Sequence, residues 1–123
     1  MTLQQKIEQL SIKIKPQSGN FSDLVSLALH QLAAVRLQTN PALIETAKSN
    51  LNKWLEKTPN VTAWLEWQNI LETKSLKKVL EIMTAETGEG QRLRSSSPFA
   101  GLVTEQERHA VIEYCEKAKP FFN

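Results

Sequence analysis

The chain has 123 residues, 41% apolar and 23% charged, which is the composition of one folded domain rather than of a disordered segment. Fifteen Lys and Arg face thirteen Asp and Glu, leaving a net charge of +2 (+3 over residues 1–58 and −1 over 59–123), too slight for a surface dedicated to neutralising phosphates. A single cysteine, Cys115, excludes an internal disulfide and a thiolate-rich zinc site.

The opening MTLQQKIEQL has no cationic stretch followed by an apolar one, and no run approaches the roughly 18 apolar residues that cross a membrane. The expected location is the cytoplasm. Thr2 and Gln5 have the spacing of a capping box, and they predict a first helix over about residues 2–15. On it Leu3, Ile7, Leu10 and Ile14 form a narrow seam at spacings of four, three and four. So thin a seam packs on one neighbour, either within the chain or in a second copy of it. This helix is therefore a candidate packing or dimerisation arm. Pro16 and the Ser18-Gly19-Asn20 turn end it.

From Phe21 to Gln38 the apolar residues spread around most of a helix, with Ser26 and His30 together on a thin polar strip. Such a helix belongs at the centre of a bundle. Asn40-Pro41 predicts a restart, with Asn as the cap and Pro in the first turn. The next helix carries Leu43, Ile44, Ala47, Leu51, Trp54 and Leu55 on one face, and Thr58-Pro59-Asn60 breaks it. A fourth helix carries Trp64 and Trp67, with Trp67 at the edge of its apolar arc and expected nearest the surface. After a junction near Thr73–Ser75 a fifth sets Leu76, Val79, Leu80 and Met83 inward. Gly88 and Gly90 disfavour helix, so only a short turn is expected around Gln91–Arg94. Ser95 to Gly101 reads as a loop. Thr104 to Glu107 is a second capping box, opening a last helix with Val111, Ile112, Cys115 and Ala118 inward. No segment alternates like a strand. The expectation is an all-α, single-domain bundle of five to seven helices spanning 1–123.

Chemistry is sparse. Cys115 lies on an apolar helix face, where a thiol is inert, and His109, six residues earlier, points elsewhere. Two histidines and one cysteine, without HExxH, CxxC or an Asp-rich loop, form no recognisable metal set. Glu66, Glu72, Glu81 and Glu113 fall on outer helix faces. Gly88 and Gly90 ahead of Arg92 and Arg94 give a weak phosphate-turn signal that lacks the strand and lysine of a true phosphate loop. No catalytic residue, metal or cofactor is expected.

The segment Gln91–Arg108 is the most unusual. Two arginines precede three serines, a Pro-Phe-Ala-Gly turn follows, and a capped helix brings Arg108 near its apolar face. Structurally, Phe99 and Leu102 would plug the loop onto the core while the arginines bridge backbone carbonyls. Functionally, Arg92, Arg94, Ser96, Phe99 and Arg108 would form a recognition loop on a rigid support. With the Trp67–Leu71 WxxIL and the Asn-Pro-initiated helix ending at Trp54, the run LRSSSPFAG before TEQER resembles a group of small uncharacterised bacterial proteins. The likeness covers about the last two-thirds of the chain. These proteins are similar in size and style to the antitoxin or accessory halves of two-gene modules, and the resemblance implies a protein-binding role with no catalytic residue.

The leading expectation is thus a non-enzymatic helical bundle that binds a protein partner, with a second copy of the chain as one candidate. The alternative is a nucleic-acid-associated regulator using Arg92, Arg94, Lys74, Lys77 and Lys78. A small enzyme or phosphate-ligand binder comes third.

Overall fold

The computed structural model describes residues 21–118. The Leu3/Ile7/Leu10/Ile14 seam lies outside the described residues. Within them the fold is all-α, with six helices and no strand: α1 (Phe21–Thr39), α2 (Ile44–Lys57), α3 (Thr62–Thr73), α4 (Leu76–Met83), α5 (Gly88–Arg94) and α6 (Glu105–Ala118). Short 3-10 turns, Pro41–Leu43 and Ala100–Leu102, precede α2 and α6. No described helix is long and apolar enough to cross a membrane.

The broad apolar surface of α1 decides the architecture, because it must be covered on two sides. Ala33 and Leu37, in its C-terminal half, join Leu51 of α2, Trp67 of α3 and Met83 of α4 in the larger core. Leu24, Ala28 and Leu32 pack instead on Val111 and Cys115 of α6 in a second, smaller core. Burying each such side chain stabilises the fold by roughly 1.5–3 kcal/mol before entropy is counted.

The junctions explain where the chain turns. Asn40 does not cap with its side chain as its position predicts; its carbonyl accepts from Leu43 N–H and closes the 3-10 turn. Ser75 and Thr87 cap α4 and α5 through their hydroxyls, accepting from the backbone N–H of Lys78 and Gly90. Thr104 and Glu107 form the reciprocal capping box expected of them.

Two expectations are corrected. A true helix runs through both glycines, because Thr87 caps it and Gly90 is needed where it passes the backbone of Ala85. A Cβ at residue 90 would lie 2.3 Å from the Ala85 carbonyl oxygen. Trp67 is completely buried rather than nearest the surface. Its indole N–H finds an acceptor in the Leu93 carbonyl, 2.8 Å away at the end of α5, which removes the usual cost of burying that donor.

Candidate functional site

The loop after α5 folds back over α1, and a groove of about 640 Å³ opens between them. Phe21, Val25 and Leu29 of α1 form one wall, and Val103 and Ile112 the wall toward α6. Trp54 and Trp64 close one side as a tilted pair with ring centroids 5.4 Å apart. Both are half-buried, so they are core side chains that also present ring surface to the groove.

The polar strip of α1 faces this space. His30 is 9% exposed, yet both ring nitrogens are satisfied. Nδ1 lies 2.7 Å from the Ser26 carbonyl, which can only accept, so the proton sits on Nδ1. Nε2 therefore accepts from the Ser97 hydroxyl, 2.6 Å away. Ser97 Oγ in turn accepts from the Phe99 N–H at 3.1 Å. Phe99, 2% exposed, stands edge-on to both His30 and Trp67. The loop is thus fixed to α1 by an imidazole and to the larger core by a ring. Burial drives the His30 pKa down to about 4, outweighing the help of the Ser26 carbonyl, and Arg94 nearby adds to the fall. Hydroxyl and imidazole are placed as a nucleophile and base would be, but so weak a base abstracts protons poorly near neutral pH.

The arginines separate into two kinds. Arg92 is exposed and clamped between Glu66, with both carboxylate oxygens engaged, and Glu89. Those two hydrogen-bonded carboxylates hold its guanidinium charged. Arg36 forks onto the Glu107 carboxylate and also donates to the Leu102 carbonyl at 2.8 Å. This pairing holds Glu107 below the usual carboxylate range and raises Arg36. Arg94 is different: it is 7% exposed and donates to the Ala85 and Met83 carbonyls, with no carboxylate in contact. Burial lowers its pKa despite the fields of Asp23 and Glu86. Arg108, exposed on the first turns of α6, makes no ion pair among the described residues.

Of the five residues expected to form a recognition loop, Arg94, Ser96, Phe99 and Arg108 all line the groove, and Arg92 is tied to Glu66 instead. Phe99 is a structural anchor. His30, Ser97 and the Trp54/Trp64 pair belong to the site although sequence reasoning did not place them there; the shared polar strip of Ser26 and His30 on an otherwise apolar helix was the available signal. Cys115 is buried in the smaller core, and burial lifts its thiol to about 11. His109 is exposed beside Glu105 on the outer face of α6. Lys78 pairs with Glu81 on α4, and Lys74 and Lys77 are exposed nearby. Among the described residues no group of three or more His, Cys, Asp or Glu could hold a metal ion.

Comparison of the chain with family models, with curated proteins and with solved structures finds no match.

Proposed function

We propose that this protein is a non-enzymatic binding bundle and that the groove between α1 and the 95–103 segment is where it holds its guest, a small molecule with an apolar body. The observation behind this reading is the groove itself. Its volume of about 640 Å³ falls within the range of roughly 300–1,000 Å³ typical of small-molecule sites. Half-buried Phe21, Val25, Leu29, Trp54 and Trp64 supply apolar and aromatic lining, joined by polar groups such as Ser96, Arg94 and Arg108. The rigid loop anchors, Phe99 and the Ser97–His30 hydrogen bond, favour a site that exists before the guest arrives.

An antitoxin-like or accessory protein partner, as the Gln91–Arg108 resemblance implies, would need an apolar contact surface. Outside the groove Leu65, 44% exposed, is the single exposed large apolar side chain among the described residues. Within residues 21–118 the groove is therefore the main apolar surface on offer. Nucleic-acid binding is disfavoured because Arg92 is already matched by two carboxylates and Arg94 is buried.

The test is binding of a neutral naphthylamine dye, followed by its fluorescence. Ile112→Lys places a charge on the groove wall, and Leu65→Lys makes the same kind of change away from it. Dye binding lost in the first variant and kept in the second, with circular dichroism unchanged in both, is the expected result. Equal binding by both variants, or none by the wild type, removes the reading.

A further inference from the structure

We infer that the groove selects an amphipathic anion: a guest whose apolar body lies along α1 and whose acidic group sits between Arg108, Ser96 and Arg94. The inference rests on the binding reading above and adds the chemistry of the guest.

The chain has four arginines. Arg36 and Arg92 are each paired with carboxylates, and neither lines the groove. Arg94 and Arg108 have no carboxylate in contact among the described residues, and both line it. No Asp or Glu is among the described lining residues. His30, the other titratable group on the wall, is held neutral by burial, so it neither cancels nor adds to that charge. Among the described residues the groove therefore has two cations and no anion along its wall.

The two arginines hold their positions for different reasons. Arg94 is fixed from behind, donating through one terminal nitrogen to Ala85 at 2.6 Å and more weakly to Met83 at 3.4 Å. Its Nε–H is buried with no acceptor among the described residues. A cation so placed is under-compensated, and its field acts through low-dielectric surroundings on whatever enters beside it. Asp23 and Glu86 act on Arg94 at a distance, but neither lines the groove. Arg108 is exposed and free to reach a guest directly.

The serines divide in a similar way. Ser95 donates to the Arg92 carbonyl and Ser97 to His30, so both hydroxyls are committed to holding the loop. The Ser96 hydroxyl makes no hydrogen bond among the described residues and also lines the groove. Arg108 and Ser96 are thus unspent donors on the same lining that holds Arg94. The apolar part of the lining, with Phe21, Val25 and the Trp54/Trp64 pair, offers a guest's acidic group nothing and its hydrocarbon a good deal. Unspent donors and cations on an otherwise largely apolar lining describe a carboxylate or similar acid on an apolar chain or ring. The charge is acidic because a cationic head would meet two arginines, and a neutral one would leave them unpaired.

The experiment titrates the full chain with decanoate, decanol and decylammonium below their micelle concentrations, reading the tryptophan emission to which Trp54 and Trp64 contribute. Decanoate is expected to bind about tenfold or more tightly than decanol, the effect of a charge-assisted hydrogen bond, with decylammonium weakest. Arg108→Gln should cut the preference for decanoate over decanol severalfold without changing decanol binding, whereas Arg92→Gln should leave the ratio intact. Equal binding of decanoate and decanol by the wild type, or an Arg108→Gln protein that keeps the preference undiminished, overturns the inference while the groove remains a binding site. No binding of any of the three, together with no binding of the neutral dye, overturns the site as well.

Discussion

His30 and Ser97, 67 residues apart in the chain, share a 2.6 Å hydrogen bond in which the imidazole Nε2 accepts and the hydroxyl donates. The bond exists only while the ring is neutral. Protonated, Nε2 becomes a donor, and a charge appears in a buried position beside Arg94. The folded-state pKa of about 4 lies below the ordinary 6.5, so the unfolded chain takes up this proton first. The contribution of neutral His30 is therefore complete above about pH 6.5 and is lost as pH falls from there toward 4. Its size is of order 3 kcal/mol. Urea denaturation at pH 7.5, 5.5 and 4 should show a steep loss for the wild type and a shallower one for His30→Gln. Parallel losses would mean that His30 is not the acid-sensitive group.

Glu107 does three things with one carboxylate: it closes its own capping box, pairs with Arg36 and thereby ties α6 to α1. Glu107→Gln keeps the capping geometry but gives up the charge, and it should cost roughly 2–3 kcal/mol. Because the folded carboxyl is held below its ordinary value, this stabilisation is present above about pH 4.5 and fades as pH falls further. It follows the His30 loss on the way down. Arg36→Gln should produce the same defect, and the double variant should add little to either. A fully additive double-mutant cycle would show that the two residues act independently.

Gly88 and Gly90 stand two positions apart on α5 and should respond oppositely to alanine. At residue 90 a Cβ would overlap the Ala85 carbonyl, the same oxygen that holds Arg94, so the backbone must shift. Gly90→Ala should destabilise by about 1–3 kcal/mol. At residue 88 a Cβ has open space, and Gly88→Ala should be neutral or stabilising by up to about 1 kcal/mol. Thermal denaturation distinguishes them; a stabilising Gly90→Ala would contradict the close approach.

Replacing Trp67 with Phe removes the indole N–H and leaves the buried Leu93 carbonyl without this donor. The cost should be about 2–3 kcal/mol, combining the lost hydrogen bond with lost volume. Trp64→Phe, at a half-buried position, should cost less and should alter the dye and decanoate signals more. The reverse ordering in stability would mean that Trp67 is not the central anchor of the larger core.

Cys115 should be inert. Its thiol is buried and its pKa is raised to about 11, so little thiolate is present and little of it is accessible. A thiol-reactive disulfide reagent should label it only as fast as the protein opens, and rapid labelling of the native protein at pH 8 would contradict its place in the smaller core.

What the sequence determined by itself is the set of helices and their inward faces. Apolar residues recur at helical spacing from Phe21 onward, and hydroxyl caps and prolines mark most of the breaks. These are local signals, expressed within one or two turns of the chain. Even the unusual character of Gln91–Arg108 was legible, because its residue types are dense and close together. Periodicity could not say which arginine is neutralised and which is left over. Arg92 and Arg94 look alike in sequence, but one meets Glu66 from 26 residues away and the other meets only carbonyls. Nor could it show that Trp67 would find Leu93, that Gly90 would skirt Ala85, or that Ser97 would meet His30. Apart from the approach of Gly90 to Ala85, each of those joins elements distant in sequence, α3 to α5 or α1 to the returning loop, and charge compensation, burial and the groove itself come into being only when that packing is complete.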